Sequence, residues 1–334
     1  MNLAYSRIAK SELNGFKKLI SNLIFWGIGL LLALIAGLRP IGLDRDSLNY
    51  AAHIKSATEV NFLDKEPAYW LIKWFNEVIF YGNIQTFFLI FAILGVSIKF
   101  LSIKRLSKLP FVSVFAYISM YFILHEMTQI RAGVASGIFL WSIPDIYKRN
   151  FKSFIIKVLF ASLFHYSAIV MLPLYFLNPR KINIIYFFLP IIGLFLAYFG
   201  LSKIIFLNIT NSLPEFLAYK IRLYLSLLEL DLHAEIHIFN FFYSSLLIIF
   251  YFSLYYYVKN KAKFEYDILY VKILSLSLFI FYFFSFLPIL AFRISEFLGI
   301  ILIIFIPNLI FYFKQKVFIL YLSLIHISEP TRPY

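Results

Sequence analysis

No cysteine occurs among the 334 residues, which excludes disulfides, iron–sulfur ligation and thiol nucleophiles together. Charge is scarce as well: Asp, Glu, Lys and Arg make up 14% of the chain, with 17 acidic residues against 31 basic ones. A soluble protein of this length carries nearly twice that share, at about 25%, so a soluble fold is excluded. There is no Walker loop, Rossmann glycine pattern, nucleophile elbow or HExxH. ATP-driven transport and serine or zinc hydrolysis therefore have no motif to rest on. Internal repeats, Gly/Ser-rich linkers and Pro-rich linkers are missing too, which leaves one integral-membrane domain over 1–325. The last residues, 326–334 (HISEPTRPY), are foreign in character and read as a truncated or non-native tail.

What the chain does have is hydrophobic residues, at 62%. Apolar runs near twenty residues long recur, each able to cross a bilayer core of about 30 Å. The expected spans are 19–38, 84–103, 109–124, 132–147, 183–200, 238–257, 267–286 and 295–313. The first lacks a small-residue cleavage site and reads as a permanent helix rather than a signal peptide. The stretch 153–178 is either one long helix or two short arms meeting near His165. Basic clusters decide between them: Lys17/Lys18, Lys104/Arg105/Lys108, Lys148/Arg149/Lys152, Arg180/Lys181, Lys259/Lys261/Lys263 and Lys314/Lys316. All face the cytoplasm only if 153–178 is a hairpin. Its arms, about 12 residues each, reach ~18 Å at 1.5 Å per residue, which implies a thin spot or cavity with His165 near its floor. The formal charge of +14 is thus a matter of membrane orientation, and no nucleic-acid partner follows from it. The expected fold is an all-α polytopic transmembrane bundle of about ten or eleven helices, GT-C-like, with a cytoplasmic N-terminus. Four loops then face outward: 39–67 with an amphipathic helix over 68–82, the turn 125–131, the segment 201–237, and 287–296.

Three lone arginines land on that outer side: Arg39, Arg131 and Arg293. An arginine at a membrane edge either snorkels to the headgroups or meets an anion. Three on one side, each beside a polar or acidic residue, point to a shared phosphate or diphosphate, which suits a guanidinium fork. Behind Arg131, the residues Ala132, Gly133, Ser136 and Gly137 form a small face that admits close helix approach. His165 is either a neutral histidine bonded to a carbonyl or a base in an outward cavity. Asp44, Asp46, Glu66, Glu126 and Glu296 are alternative bases, some of them merely solvated. The DRD at 44–46 resembles a nucleotide–metal motif, but salt bridging to Arg39 or Arg45 explains it as well. His233 and His237 stand four apart, which suits two metal ligands on one helical face. No third ligand is in register, so no metal and no cofactor is expected. Tyr50, Tyr69, Trp70 and Trp74 serve either as an interfacial aromatic belt or as sugar-stacking rings.

Five stretches in order, LRPIGLDRDSLNYAAH, EPAYWLIKWF, IRAGVASGIFLWSI, LFHYSAIVMLPLYF and LAFRISEFLGIILIIFIP, resemble the EpsG family of Wzy-type O-antigen or exopolysaccharide polymerases. The resemblance covers about residues 39 to 307. It implies an enzyme of the bacterial inner membrane that joins undecaprenyl-diphosphate-linked oligosaccharide repeat units on the outer face. Donor and acceptor are both lipid-linked glycans, and a chain-length regulator is an implied partner. By position, Arg39 and Asp44 match the first-loop Arg…Asp motif, and Tyr50 the tyrosine after it. Glu66 matches the acidic residue before the amphipathic helix, Arg131 the helix-start arginine, His165 the Phe-His motif and Arg293 the late arginine. Where the late motif usually has an aromatic pair, this chain has Glu296-Phe297. Site expectations follow: Arg39, Arg131 and Arg293 hold diphosphate; His165, Asp44 or Glu66 takes the acceptor proton; Tyr50, Tyr69 and Trp70 meet sugar. The rivals are a polysaccharide ligase, which shares the chemistry, and a lipid-linked-oligosaccharide flippase. A membrane acyltransferase and a scaffold fit less of the pattern.

Overall fold

The computed structural model describes residues 2–55, 65–211, 236–260 and 262–312. All regular structure among them is helical, as expected. The elements are α1 (Asn2–Gly37), α2 (Arg45–Lys55), α3 (Pro67–Phe80), α4 (Ile84–Leu106), α5 (Pro110–Tyr117) continuing as a π-helical run Ile118–Thr128, α6 (Ile130–Lys148) and α7 (Phe151–Phe164). A 3-10 helix Tyr166–Phe176 follows, then α8 (Ile185–Tyr198), α9 (Leu201–Asn211), α10 (Phe241–Asn260), α11 (Asp267–Phe283), α12 (Pro288–Gly299) and α13 (Leu302–Leu309). The helices group into two compact units, one of Met1–Trp141 with Phe160–Tyr166, the other of Ser142–Leu159 with Ser167–Tyr334.

Three helical stretches are long and apolar enough to cross a bilayer: Gly15–Gly37, Ile84–Leu106 and Pro110–Thr128. Two bent pairs raise the number to five if each is one span. This is a multi-pass membrane protein. The sequence-derived spans at 132–147 and 267–286 are helical too. However, the first lies in a helix holding Arg131, Asp145 and Lys148, and the second has 17 helical residues. One expected span stops at a bend and another contains one. The run 183–200 ends at Gly200, whose φ of +68° suits glycine, and the chain turns by 92° into α9. The run 295–313 starts earlier, at Pro288, whose ring fits a first helical turn, and bends by 53° after Gly299.

In the first unit α1 and α4 are antiparallel neighbours. Phe25 meets Phe100 with ring centroids 4.8 Å apart, and a Cβ on Gly37 would stand 2.5 Å from Leu89 Cα. α3 reverses into α4 through Tyr81 and Gly82, both left-handed at φ of +54° and +70°. Asn76 locks this turn, donating to the Asn83 carbonyl at 3.1 Å and accepting from Thr86 at 2.6 Å. α3 thus buries Tyr69, Ile72, Lys73 and Asn76 while Leu71, Trp74, Val78 and Ile79 stay exposed, the amphipathic helix expected over 68–82. The small face of α6 works as its pattern predicts: Gly137 abuts Ile98 of α4, and Gly133 abuts the His125 carbonyl.

The hairpin expected near His165 is present. Arg149, just before α7, donates to the carbonyls of Tyr175 and Leu177, just past the 3-10 helix, so the two arms share one end. They are longer than expected. α7 has 14 residues and the 3-10 helix 11, giving ~21 Å and ~22 Å, because 3-10 winding rises ~2.0 Å per residue. Elsewhere in the second unit, Gly193 of α8 abuts Phe279 of α11, and Ser275 donates to the Tyr186 carbonyl at 2.7 Å.

Gly37→Val is expected to force α1 off α4 and lower stability by about 1–3 kcal/mol, read as a lower melting temperature in detergent. Gly27→Ala, where a Cβ meets nothing within 4 Å, should leave it unchanged.

Candidate functional site

The first unit brings together the elements that hold Arg39, Asp44, Tyr50, Glu66, Tyr69, Arg131 and His165. Asp44 caps α2: its Oδ1 accepts from the Ser47 amide at 2.8 Å, the usual bond of a helix N-cap. Its Oδ2 accepts from Arg39 Nε at 3.2 Å. Arg39 further donates to the Ala36 carbonyl at 2.6 Å and to the Met127 carbonyl at 2.5 Å, with its face 4.0 Å from the Phe88 ring. Only 1% of this side chain is exposed. These bonds give both residues work inside the protein. Arg39 is a staple between α1 and the π-helical run rather than an open diphosphate ligand, and both Asp44 oxygens are engaged within the protein. Asp44 of the DRD motif is accordingly both an ion-pair partner and a helix cap.

Glu66 stands where α3 needs an N-cap, yet its side chain makes no cap bond. Pro67 occupies the first helical position and has no N–H to satisfy. It also keeps Glu66 extended, at φ −71° and ψ 155°. The carboxylate is thereby free to turn inward. Its Oε2 pairs with Arg131 Nη1, and its Oε1 accepts from His165 Nδ1 at 2.8 Å. A carboxylate only accepts, so Nδ1 carries the hydrogen and Nε2 is left as the basic nitrogen when the ring is neutral. Burial opposes ionisation of Glu66. The His165 hydrogen bond and the Arg131 charge outweigh it and hold the carboxyl down at about 2.

Arg131 also donates Nε to the Tyr50 hydroxyl at 3.2 Å. Two of its three nitrogens are thus oriented by protein, while 20% of the side chain remains exposed. Burial raises the Tyr50 phenol above its ordinary range, so its hydroxyl keeps its proton. Tyr69 stacks on Tyr50 with centroids 6.2 Å apart, and its hydroxyl meets His53 Nδ1 at 3.0 Å. Tyr50 and Tyr69, expected to meet sugar, are packed against protein here. Tyr69 is fully buried and Tyr50 nearly so, their faces taken by each other, Phe87 and His53. They buttress Arg131. Trp70 is half-buried and Trp74 exposed on α3.

The remaining expected residues lie elsewhere. Arg293 sits on α12 in the second unit and is exposed; Glu296, a turn later, is buried. His233, most of the 201–237 segment, Lys314, Lys316 and the 326–334 tail fall outside the described residues. Among the described residues no group of three His, Asp or Glu side chains is arranged to hold a metal ion. One pair escaped the sequence reading. Lys99 Nζ lies 2.5 Å from Glu126 Oε1 with both side chains fully buried. Glu126 is thus an ion-pair partner rather than a solvated carboxylate. The signal was a lysine inside an apolar run, which needs a partner.

No curated protein sequence and no solved structure matches the chain. The sequence profile of the EpsG family matches residues 22–328, which takes in every element described above that carries Arg39, Glu66, Arg131, His165 and Arg293. The chain belongs to the EpsG family, as a multi-pass membrane protein.

Proposed function

We propose that this protein is a glycosyltransferase that polymerises undecaprenyl-diphosphate-linked oligosaccharide repeat units on the outer face of the bacterial inner membrane. The observation that carries the reading is the Glu66 carboxylate shared by Arg131 and His165, residues drawn from three separate segments. An acceptor hydroxyl attacks the anomeric carbon of the donor. The carbon–oxygen bond to the diphosphate breaks, and its electron pair leaves with undecaprenyl diphosphate. The hydroxyl proton passes to Nε2 of His165, whose ring Glu66 orients through Nδ1. Arg131, steadied by Tyr50 and Glu66, turns its remaining donors toward the charge that builds on the leaving diphosphate. Attack from the opposite face inverts the anomeric centre. Glu66 itself is too weak a base for this proton and serves as the orienting group.

The sidedness rests on the basic clusters and on the hairpin. With Arg149 bound to the carbonyls of Tyr175 and Leu177, the clusters 148–152 and 180–181 share one side, which supports a cytoplasmic N-terminus. Arg293 and a chain-length regulator complete the proposal on the strength of the family resemblance alone.

Arg131→Ala should lower polymer formation by ~10²–10³-fold, the effect of losing one preorganised donor to a developing charge, with unchanged protein in the membrane. Arg131→Lys should restore little, because the fork is lost. Arg39→Ala should instead reduce the amount of folded protein, since three hydrogen bonds and the contact with Phe88 disappear with it. Membrane immunoblots beside gels of surface polysaccharide separate these outcomes. Deletion of the gene should leave single-repeat glycan; no surface glycan would identify a flippase, and free lipid-linked polymer a ligase.

Acid should act through Glu66. Its folded value of about 2 lies below the ordinary 4.5, so its stabilisation is full above pH 4.5 and is lost as pH falls toward 2. Melting curves in detergent should show this loss in the wild type, and Glu66→Gln should lack that component.

A further inference from the structure

We propose that Lys99 and Glu126 form a positioning pair that sets where the Arg131 guanidinium stands. Lys99 Nζ grips both sides of the turn that leads into Arg131. It binds Glu126 Oε1 at 2.5 Å, five residues before the arginine, and the Gly133 carbonyl at 2.7 Å, two residues after it. The turn between them carries backbone bonds from the Gln129 amide to the Leu124 carbonyl at 2.7 Å and from the Gly133 amide to the Gln129 carbonyl at 2.8 Å. Lys99 braces it from α4. From the other side Arg39 holds the Met127 carbonyl.

The space for this brace is cut by glycines. A Cβ on Gly95 would collide with Glu126 Oε2, and one on Gly133 with the His125 carbonyl. Ser136 completes the surroundings, its hydroxyl bonding to the Gly133 carbonyl at 2.8 Å and meeting His125 Nδ1 at 3.2 Å. A fully buried ion pair is a poor device for stability alone, because well-packed apolar residues of similar size replace such pairs at little or no loss. Geometry is what apolar residues cannot supply: a charge-assisted contact fixes the distance between α4 and the two flanks of one turn. The π-helical run supports the same reading, since π winding is rare and tends to mark functional segments. Only the catalytic consequence rests on the polymerase reading; the placement of Arg131 does not.

The test is the double variant Lys99→Met/Glu126→Met in purified full-length protein, which removes both charges and leaves no lone one buried. Hydrogen exchange at the Gln129 and Gly133 amides should quicken at least ~tenfold, and phenylglyoxal should label Arg131 at a changed rate, with α1 exchange unaltered. On lipid-linked repeat units kcat should fall by up to ~10²-fold, the scale of a displacement near 1 Å, with KM little changed. Wild-type exchange and labelling in the double variant overturn the positioning role. Altered exchange with wild-type kcat makes the pair merely structural and overturns it too. If the wild type itself forms no polymer, the polymerase reading fails, and exchange and labelling still decide the placement. Should the double variant fail to fold, Gly133→Ala displaces the same turn while keeping the pair. It should lower kcat and alter Arg131 labelling, and wild-type values of both overturn the proposal.

Discussion

One carboxylate organises the first unit of this protein. Glu66 is bound at one oxygen by a guanidinium and at the other by an imidazole, so neither cation-forming group can move without disturbing the other. Burial alone would favour a neutral acid here, and the pairing reverses that preference. The carboxylate is available for this because a proline behind it takes over the helix start. A local backbone rule, that a residue before proline stays extended, thus reaches the chemistry directly.

The three arginines that the sequence presents as equals are not equivalent. Arg39 is spent on two carbonyls, an aspartate and the face of Phe88, and no donor set so occupied is open to a lipid diphosphate. Arg131 is half-committed, which is the condition of a preorganised ligand: two nitrogens fixed by protein and an exposed remainder. Arg293 is exposed on a helix of the other unit. Charge and position along the chain are visible in a sequence, whereas the number of donors already taken is not.

The same contrast explains what could be read in advance. The all-α class, the amphipathic third helix, the small face of α6 and the break at His165 all follow from period, composition and charge, and each is found. The helix after Gly200 and the bend after Gly299 were missed because hydropathy does not register a change of direction within an apolar run. The packing of Tyr50 on Tyr69 was not legible, because aromatic residues near loops carry no sign of what covers them. Lys99 was legible as an anomaly inside an apolar stretch, but its partner lies 27 residues on, beyond any helical period.

The Lys99–Glu126 pair has a further consequence for how the chain enters the bilayer. Released alone into lipid, α4 would carry an uncompensated ammonium at ~2.5–3.5 kcal/mol, and the following segment would carry a carboxylate at similar expense. The short link between them, Ser107 to Leu109, lets the two be delivered as one neutral helical couple. Biogenesis at the translocon then favours lateral release of both segments together over stepwise partitioning of each.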